Sequence, residues 1–330
     1  MTIKYDNVYI QNTSTIAGPL EKSGPLDKYF DNSYKDFYIK QKTFEQAEMY
    51  LQKESISILL EKEKKTISMI DLFIGGDLTN QISISNFTAK DLLLPYIGIY
   101  SACATSTMEL IIASMLIDKY KLSNILCTTS SHNLTAERQF RYPVEYGGIK
   151  PKRSTFTATG AASIILGKNK SHIKVTYGTI GKVNNSNCKD AFNMGEVMAI
   201  AACDTLYEHL KDTKRNVEDY DLILTGDLGV YGKNIMKEYM LEKYNINISK
   251  NYNDCGVMLY DLTKQEVFAG GSGPSCLPLV SYSKVYQQLK EGTLKRVLLI
   301  ATGAIFSPTT LFQKLPIPSI AHAISLEVLK

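Results

Sequence analysis

Apolar positions recur along residues 43–60 with the spacing of one helical face, Phe44, Ala47, Leu51 and Ile58 falling on the same side. The run DLFIGGDL at 71–78 follows, a short apolar stretch closed by Gly-Asp. It predicts a parallel strand buried on both faces and ending in a loop at its carboxyl end. A helix over about 85–93 and a strand over 96–100 come next, then the turn GIYSAC at 98–103. Residues 107–120 are apolar almost all round, through Met108, Leu110, Ile111, Ile112, Met115, Leu116 and Ile117, which predicts a helix with no solvent face. A strand over 125–129 closes the series.

The same series then returns. A helix over 196–210 carries Val197, Ile200, Ala201 and Leu206 on one side, DLILTGDL at 221–228 repeats the Asp-Leu strand, and helix 233–244 and strand 267–269 follow. The turn GSGPSC at 271–276 again places a cysteine five residues after a glycine, ahead of a helix over about 277–289 and a strand at 298–304. The offset is 150 residues from Asp71 to Asp221 but 173 from Gly98 to Gly271 and from Ile125 to Leu298. The second copy therefore carries about two dozen extra residues, among which GVMLY at 256–260 is expected to form a further strand. A repeat this long is a duplicated domain and not a solenoid. The expectation is an α/β protein of two similar halves, residues 1–184 and 185–330.

Composition narrows the picture. A chain of 330 residues can bury a large core and is long enough for two domains. With 37 basic and 33 acidic residues the net charge is only +4, and no basic block suggests a nucleic-acid groove. Six cysteines without CxxC pairs or His/Cys clusters fit a reducing compartment and argue against zinc and a disulfide framework. The opening MTIKYD lacks the apolar stretch of a signal peptide, and no apolar run reaches 18 residues. A soluble chain is expected, one that reaches any membrane through partners.

Several stretches are more specific than any periodicity: LTNQ at 78–81, ACATSTME at 102–109, TSSHNLTAERQFRYPVEYGG at 129–148, AGGSG at 269–273, and also AGPLEKSGPL at 17–26 and AHA at 321–323. The duplicated unit, with a cysteine between a buried strand and a buried helix, is similar to the thiolase-like superfamily of ketoacyl synthases and thiolases. Within it, these stretches resemble the stage V sporulation AD family of spore-forming Firmicutes. The resemblance implies a five-layer αβαβα sandwich with the two central helices between the sheets, in a homodimer. It implies a non-catalytic protein without cofactor or metal site that binds dipicolinic acid (pyridine-2,6-dicarboxylic acid), alone or as its calcium chelate. Its setting would be the uptake or release of that acid at the inner membrane of the developing or germinating spore, as a peripheral partner of small membrane-embedded SpoVA proteins. The alternative is an acyltransferase of the condensing class with Cys103 as nucleophile.

In the superfamily a cysteine placed like Cys103 sits at the N-terminus of the central helix, where the helix end favours a thiolate. It reads as a pocket-lining group or a nucleophile, and a nucleophile needs a base within reach. Condensing enzymes carry a histidine, and a histidine or asparagine, in loops of the second half that converge on the cysteine. Here TGDLGVYG at 225–232 and GGSGPSC at 270–276 contain no histidine. Of the four histidines, His172 reads as a strand start and His209 as a solvated helix face, while His322 precedes the last strand, where it would approach Cys103.

His132 follows strand 125–129 at the carboxyl end, where α/β sheets place ligands, and forms a polar cluster with Ser130, Ser131 and Asn133. Arg138 and Arg141 offer guanidinium groups that match a carboxylate in a bidentate way, or else pair with Glu137 or Glu145 at a dimer interface. Asp77 and Asn80 lie at the end of the first Asp-Leu strand. Asp77 has a twin in Asp227 and reads as a helix cap, whereas Asn80 has none and is the better pocket candidate. Cys276 mirrors Cys103, but prolines on both sides assign it a structural role. The candidate ligand-binding set is thus Cys103, His132, Asn80, Asp77, Arg138, Arg141 and His322.

Overall fold

In the computed structural model, which describes residues 1–120, 122–140 and 150–329, both Asp-Leu runs are parallel strands, Leu72–Gly76 and Leu222–Thr225. From its free edge inward, the first sheet runs Tyr96–Gly98, Leu72–Gly76, Asn124–Ser131, Gly160–Gly167 and Tyr9–Ala17. The second runs Tyr252–Asp254, Leu222–Thr225, Arg296–Ala304, Pro318–Val328 and Ile173–Ile180. Both lists give the same order of elements within their half: third, second, fourth, fifth, first. The two first strands meet through the pairs Tyr9 with Lys174 and Ile10 with Ile173, which makes one continuous 13-stranded sheet with a pseudo-twofold arrangement.

Strand alternation divides the side chains between layers. Val297 and Leu299 point to the middle of the molecule, into one core with Leu110, Ile111 and Ile117 of the helix Thr105–Tyr120 and with Ile74 and Ile125 of the first sheet. Leu298 and Ile300, one residue out of phase, point the other way, onto Val197, Met198 and Leu206 of the helix Met194–Thr213. Phe44–Glu63 and Ser83–Leu92 cover the outer face of the first sheet. The layers are therefore αβαβα, with Thr105–Tyr120 between the sheets; contrary to the expectation of no solvent face, Met115 is exposed and Met108, Ile112 and Leu116 are half-buried. Its counterpart is interrupted: Cys276–Val280 and Tyr286–Lys290 are α-helical, and Ser281–Val285 forms a π-helical turn.

Four expectations change. The run GVMLY lies in a helix, Cys255–Leu259, because Asp254 caps it by accepting from the Val257 N–H at 3.3 Å. A five-residue apolar run carries no period that separates strand from buried helix. The third strand of the second half is instead Tyr252–Asp254, and Gly271–Ser272 pairs outside the main sheet with Phe156–Thr157. The chain also crosses between sheets at 168–172, ahead of residue 185, because each half opens with a long strand that precedes its outer helix. His209 is buried, not solvated: its ring meets the Thr179 hydroxyl at 2.7 Å and the Tyr220 hydroxyl at 2.6 Å, and burial pushes its pKa down to about 3.

Candidate functional site

The cysteine turn is a strained connection between strand and helix. Ala102 takes a left-handed φ of 47°, and the helix begins only at Thr105. The Thr105 hydroxyl holds the turn from both sides, donating to the Ala102 carbonyl at 2.7 Å and accepting from the Ser101 N–H at 3.1 Å. From the second half, Arg296–Ala304 lies against this turn so closely that a Cβ on Gly303 would stand 2.5 Å from the Ser101 carbonyl oxygen. Only glycine permits that approach.

Cys103 thereby lines a narrow pocket of about 30 Å³. Tyr100, Phe140 and Phe306 form its aromatic walls, with Thr157, Ser272 and Gly273 on the opposite side. Phe140 and Phe306 meet edge to face across it, centroids 5.6 Å apart. Gly273 has a φ of +95°, and a Cβ there would come within 2.9 Å of Ser131 Oγ and of Thr157 Cγ2, so this wall also depends on glycine. The described lining contains no lysine, arginine or histidine.

Behind Cys103 stands Asp227. Its carboxyl accepts from the Cys103 thiol, from the Thr302 hydroxyl and from the Gly273 N–H at 3.3 Å. Burial pushes its pKa up to about 7 and the nearby Asp254 adds to this, against the pull of those three donors.

Of the candidates read from the sequence, Cys103 alone lines this inner pocket, and Asn80 lines an adjoining outer one. Asp77 is a cap, as its twin suggested: it accepts from the N–H and hydroxyl of both Thr79 and Ser85. His132 is buried with both ring nitrogens engaged, one at 2.8 Å from the Phe37 carbonyl and the other accepting from the Leu134 N–H at 3.2 Å. It stacks on Phe44, and burial pushes its pKa down to about 4. Its neighbours are engaged too: Ser130 donates to Glu48, Ser131 to the Ala158 carbonyl, and Asn133 to the Thr157 carbonyl. The cluster thus fastens the helix Asn133–Phe140, and none of its four residues lines the pocket. Arg138 pairs with Glu45, while Glu137 pairs with Lys150 at 3.0 Å. Arg141 and Glu145 lie outside the described residues. His322 is buried with burial lowering its pKa to about 4, and it meets Ser101 at 3.5 Å and the Gly181 N–H at 3.2 Å. It sits beside the turn and not in the pocket lining.

The residues around Cys103 that the sequence does not single out are Tyr100, Phe140 and Phe306 in the lining and Asp227 beside the thiol.

The profile of the family described as "Stage V sporulation protein AD (SpoVAD)" matches residues 1–327. The chain is 43% identical over 320 residues to "Stage V sporulation protein AD" of Bacillus subtilis (strain 168), which covers 97% of this chain and 94% of that one. Among solved structures, 3-oxoacyl-[acyl-carrier-protein] synthase III from Aquifex aeolicus VF5 matches with a TM-score of 0.60 at 16% identity, over 97% of this chain and 99% of that one. A variant of OleA from Xanthomonas campestris matches with a TM-score of 0.62 at 14% identity, over 98% of each chain. At such identities these two likenesses show the thiolase-like fold alone.

Proposed function

The chain belongs to the stage V sporulation protein AD family, and from that premise we propose that it is a non-catalytic binding protein for dipicolinic acid, acting in the uptake or release of the acid in the spore. One observation carries the non-catalytic part: the Cys103 thiol faces the Asp227 carboxyl. That neighbour is a carboxyl and not the imidazole that activates a nucleophilic thiol, and the described lining holds no histidine, so the pocket offers the cysteine as a polar contact. The rings of Tyr100, Phe140 and Phe306 suit a flat aromatic ligand. The described lining is uncharged, which suits a ligand whose charge is already compensated, as in a calcium chelate, better than a bare dianion. No helix among the described residues is long and apolar enough to cross a membrane. Work at the spore inner membrane then falls to docking on membrane-embedded SpoVA partners, with the chain as a homodimer. The runner-up, a condensing acyltransferase using Cys103, draws on the likeness of fold to 3-oxoacyl-[acyl-carrier-protein] synthase III.

Calorimetry separates the readings. Dipicolinate with equimolar calcium is expected to bind the wild type more tightly than dipicolinate alone, and benzene-1,3-dicarboxylate to bind more weakly than either. Cys103→Trp is expected to fill the pocket and remove the heat signal while the circular dichroism spectrum stays native. Undiminished affinity in that variant, or repeated turnover of an acyl-coenzyme A that Cys103→Ala abolishes, would refute the proposal.

A further inference from the structure

Tyr100, Phe140 and Phe306, which line the inner pocket, belong also to a second, adjoining cavity of about 500 Å³, whose other walls include Asn80, Gln81 and Thr309. The same three rings are thus a partition between an outer chamber lined by amides and hydroxyls and an inner one holding Cys103.

The outer wall is built at a cost. Gln81 and Ile82 are consecutive non-glycine residues with left-handed φ values of 58° and 48°. Strain of this kind persists only where the surroundings hold it, and it collects at ligand clamps and switch regions. The holding group is Gln139, which accepts from the Asn80 N–H at 2.8 Å and donates to the Leu78 carbonyl at 2.9 Å. Asn86 adds a bond to the Gln81 carbonyl at 2.9 Å. The bend leaves the side chains of Asn80 and Gln81 exposed, and neither makes a hydrogen bond to another described residue. Gln139 in turn precedes Phe140 in the helix Asn133–Phe140, so the strained loop and one leaf of the partition share a single fastening.

We propose that the outer chamber is a first docking subsite for a planar carboxylate, held by the side-chain amides of Asn80 and Gln81, and that the ligand passes to Cys103 when the Phe140–Phe306 pair parts. The ligand class rests on the dipicolinate reading given above. The partition does not. Neutral amide donors hold a carboxylate loosely enough to release it inward, and the Gln139 clamp transmits any movement of the loop at 78–80 to Phe140.

The partition is tested without the ligand. Full-length protein is treated with N-ethylmaleimide and modification of each cysteine is followed by peptide mass spectrometry. Phe140→Ala and Phe306→Ala are expected to speed alkylation of Cys103 at least tenfold, with the partly exposed Cys188 unchanged as a check on folding. Gln139→Ala is expected to give a smaller rise. Equal Cys103 rates in the wild type and both alanine variants, with Cys188 unchanged, would overturn the gate. The subsite is tested by stopped-flow tyrosine fluorescence with dipicolinate and calcium. Two phases are expected, the faster dependent on ligand concentration and the slower independent of it. Asn80→Ala and Gln81→Ala should weaken the first phase severalfold and spare the second. A single phase in the wild type would overturn the outer subsite. Absence of any binding, with the alkylation difference intact, would overturn the ligand class and the function it rests on while supporting the gate.

Discussion

The two Gly-Asp-Leu motifs occupy the same place in the two halves and do different work. Asp77 is turned on its own neighbourhood, taking four hydrogen bonds from Thr79 and Ser85 and so fixing the start of the helix that follows. Asp227 makes none of the corresponding local bonds. Its partners are Thr302, Gly273 and, across from the first half, Cys103. The capping duty has passed to Asp254, which accepts from the Leu228 and Gly229 N–H groups at 2.9 and 3.0 Å. Asp254 ends the third strand of the second half, at the register where the first half has Gly98, so one half caps from this strand and the other from the Asp-Leu strand itself.

The sharpest way to break this contrast is to remove each acid. Asp77→Ala strands the N–H groups of Thr79 and Ser85 in the interior and should lower stability in urea by about 3 kcal/mol, the scale for buried donors left unpaired. Asp227→Asn keeps an acceptor for Thr302 and should cost less than about 1 kcal/mol, yet change the rate of Cys103 alkylation, since the group that faces its thiol is replaced. Equal losses of stability and unchanged alkylation would make the twins equivalent.

A smaller effect lies in the pH dependence. For Asp227 the folded pKa of about 7 stands above the unfolded carboxyl value near 4. Unfolding in that interval releases a proton, so its contribution is fully favourable below about pH 4 and is lost as pH rises through 7. Asp227→Asn should therefore flatten the decline of unfolding free energy between pH 4 and 7, by at most roughly 1.4 kcal/mol per pH unit. Buried Glu21 and Glu48, with pKa values pushed up by burial to about 7 and about 8, act in the same direction and remain in the variant. Unchanged slopes would show that the Asp227 carboxyl is not held protonated.

The smallest effect concerns the residues that sequence reasoning favoured. Arg138→Ala removes an exposed ion pair with Glu45 and should change stability by less than about 0.5 kcal/mol, with dipicolinate affinity by calorimetry altered less than twofold. A tenfold loss would return the arginine to the site.

Periodicity and the repeat made the duplicated α/β frame, the buried central helix and the position of Cys103 legible, because each is written in a local pattern. The strands Tyr9–Ala17, Gly160–Gly167 and Ile173–Ile180 were not read, although they join and flank the sheets. Site residues were harder still. His132 and Asp227 both follow strands at the carboxyl end, and nothing local distinguishes the one stacked on Phe44 from the one turned toward Cys103. That distinction is made by Gly303 and Gly273, whose close approaches bring the second half onto the first.

The strand Ile173–Ile180 has the first strand, Thr2–Lys4, along one side and the last, Pro318–Val328, along the other. During synthesis this middle strand leaves the ribosome long before its C-terminal neighbour exists, so the second sheet has to wait, half-paired, for residues 318–328. Pairing over such separations is slow, and an unpaired edge in the interval is open to aggregation. Loss of residues 318–328 would therefore strand the chain at its most vulnerable point, and yield on expression should depend more on this strand than on any residue of the pocket.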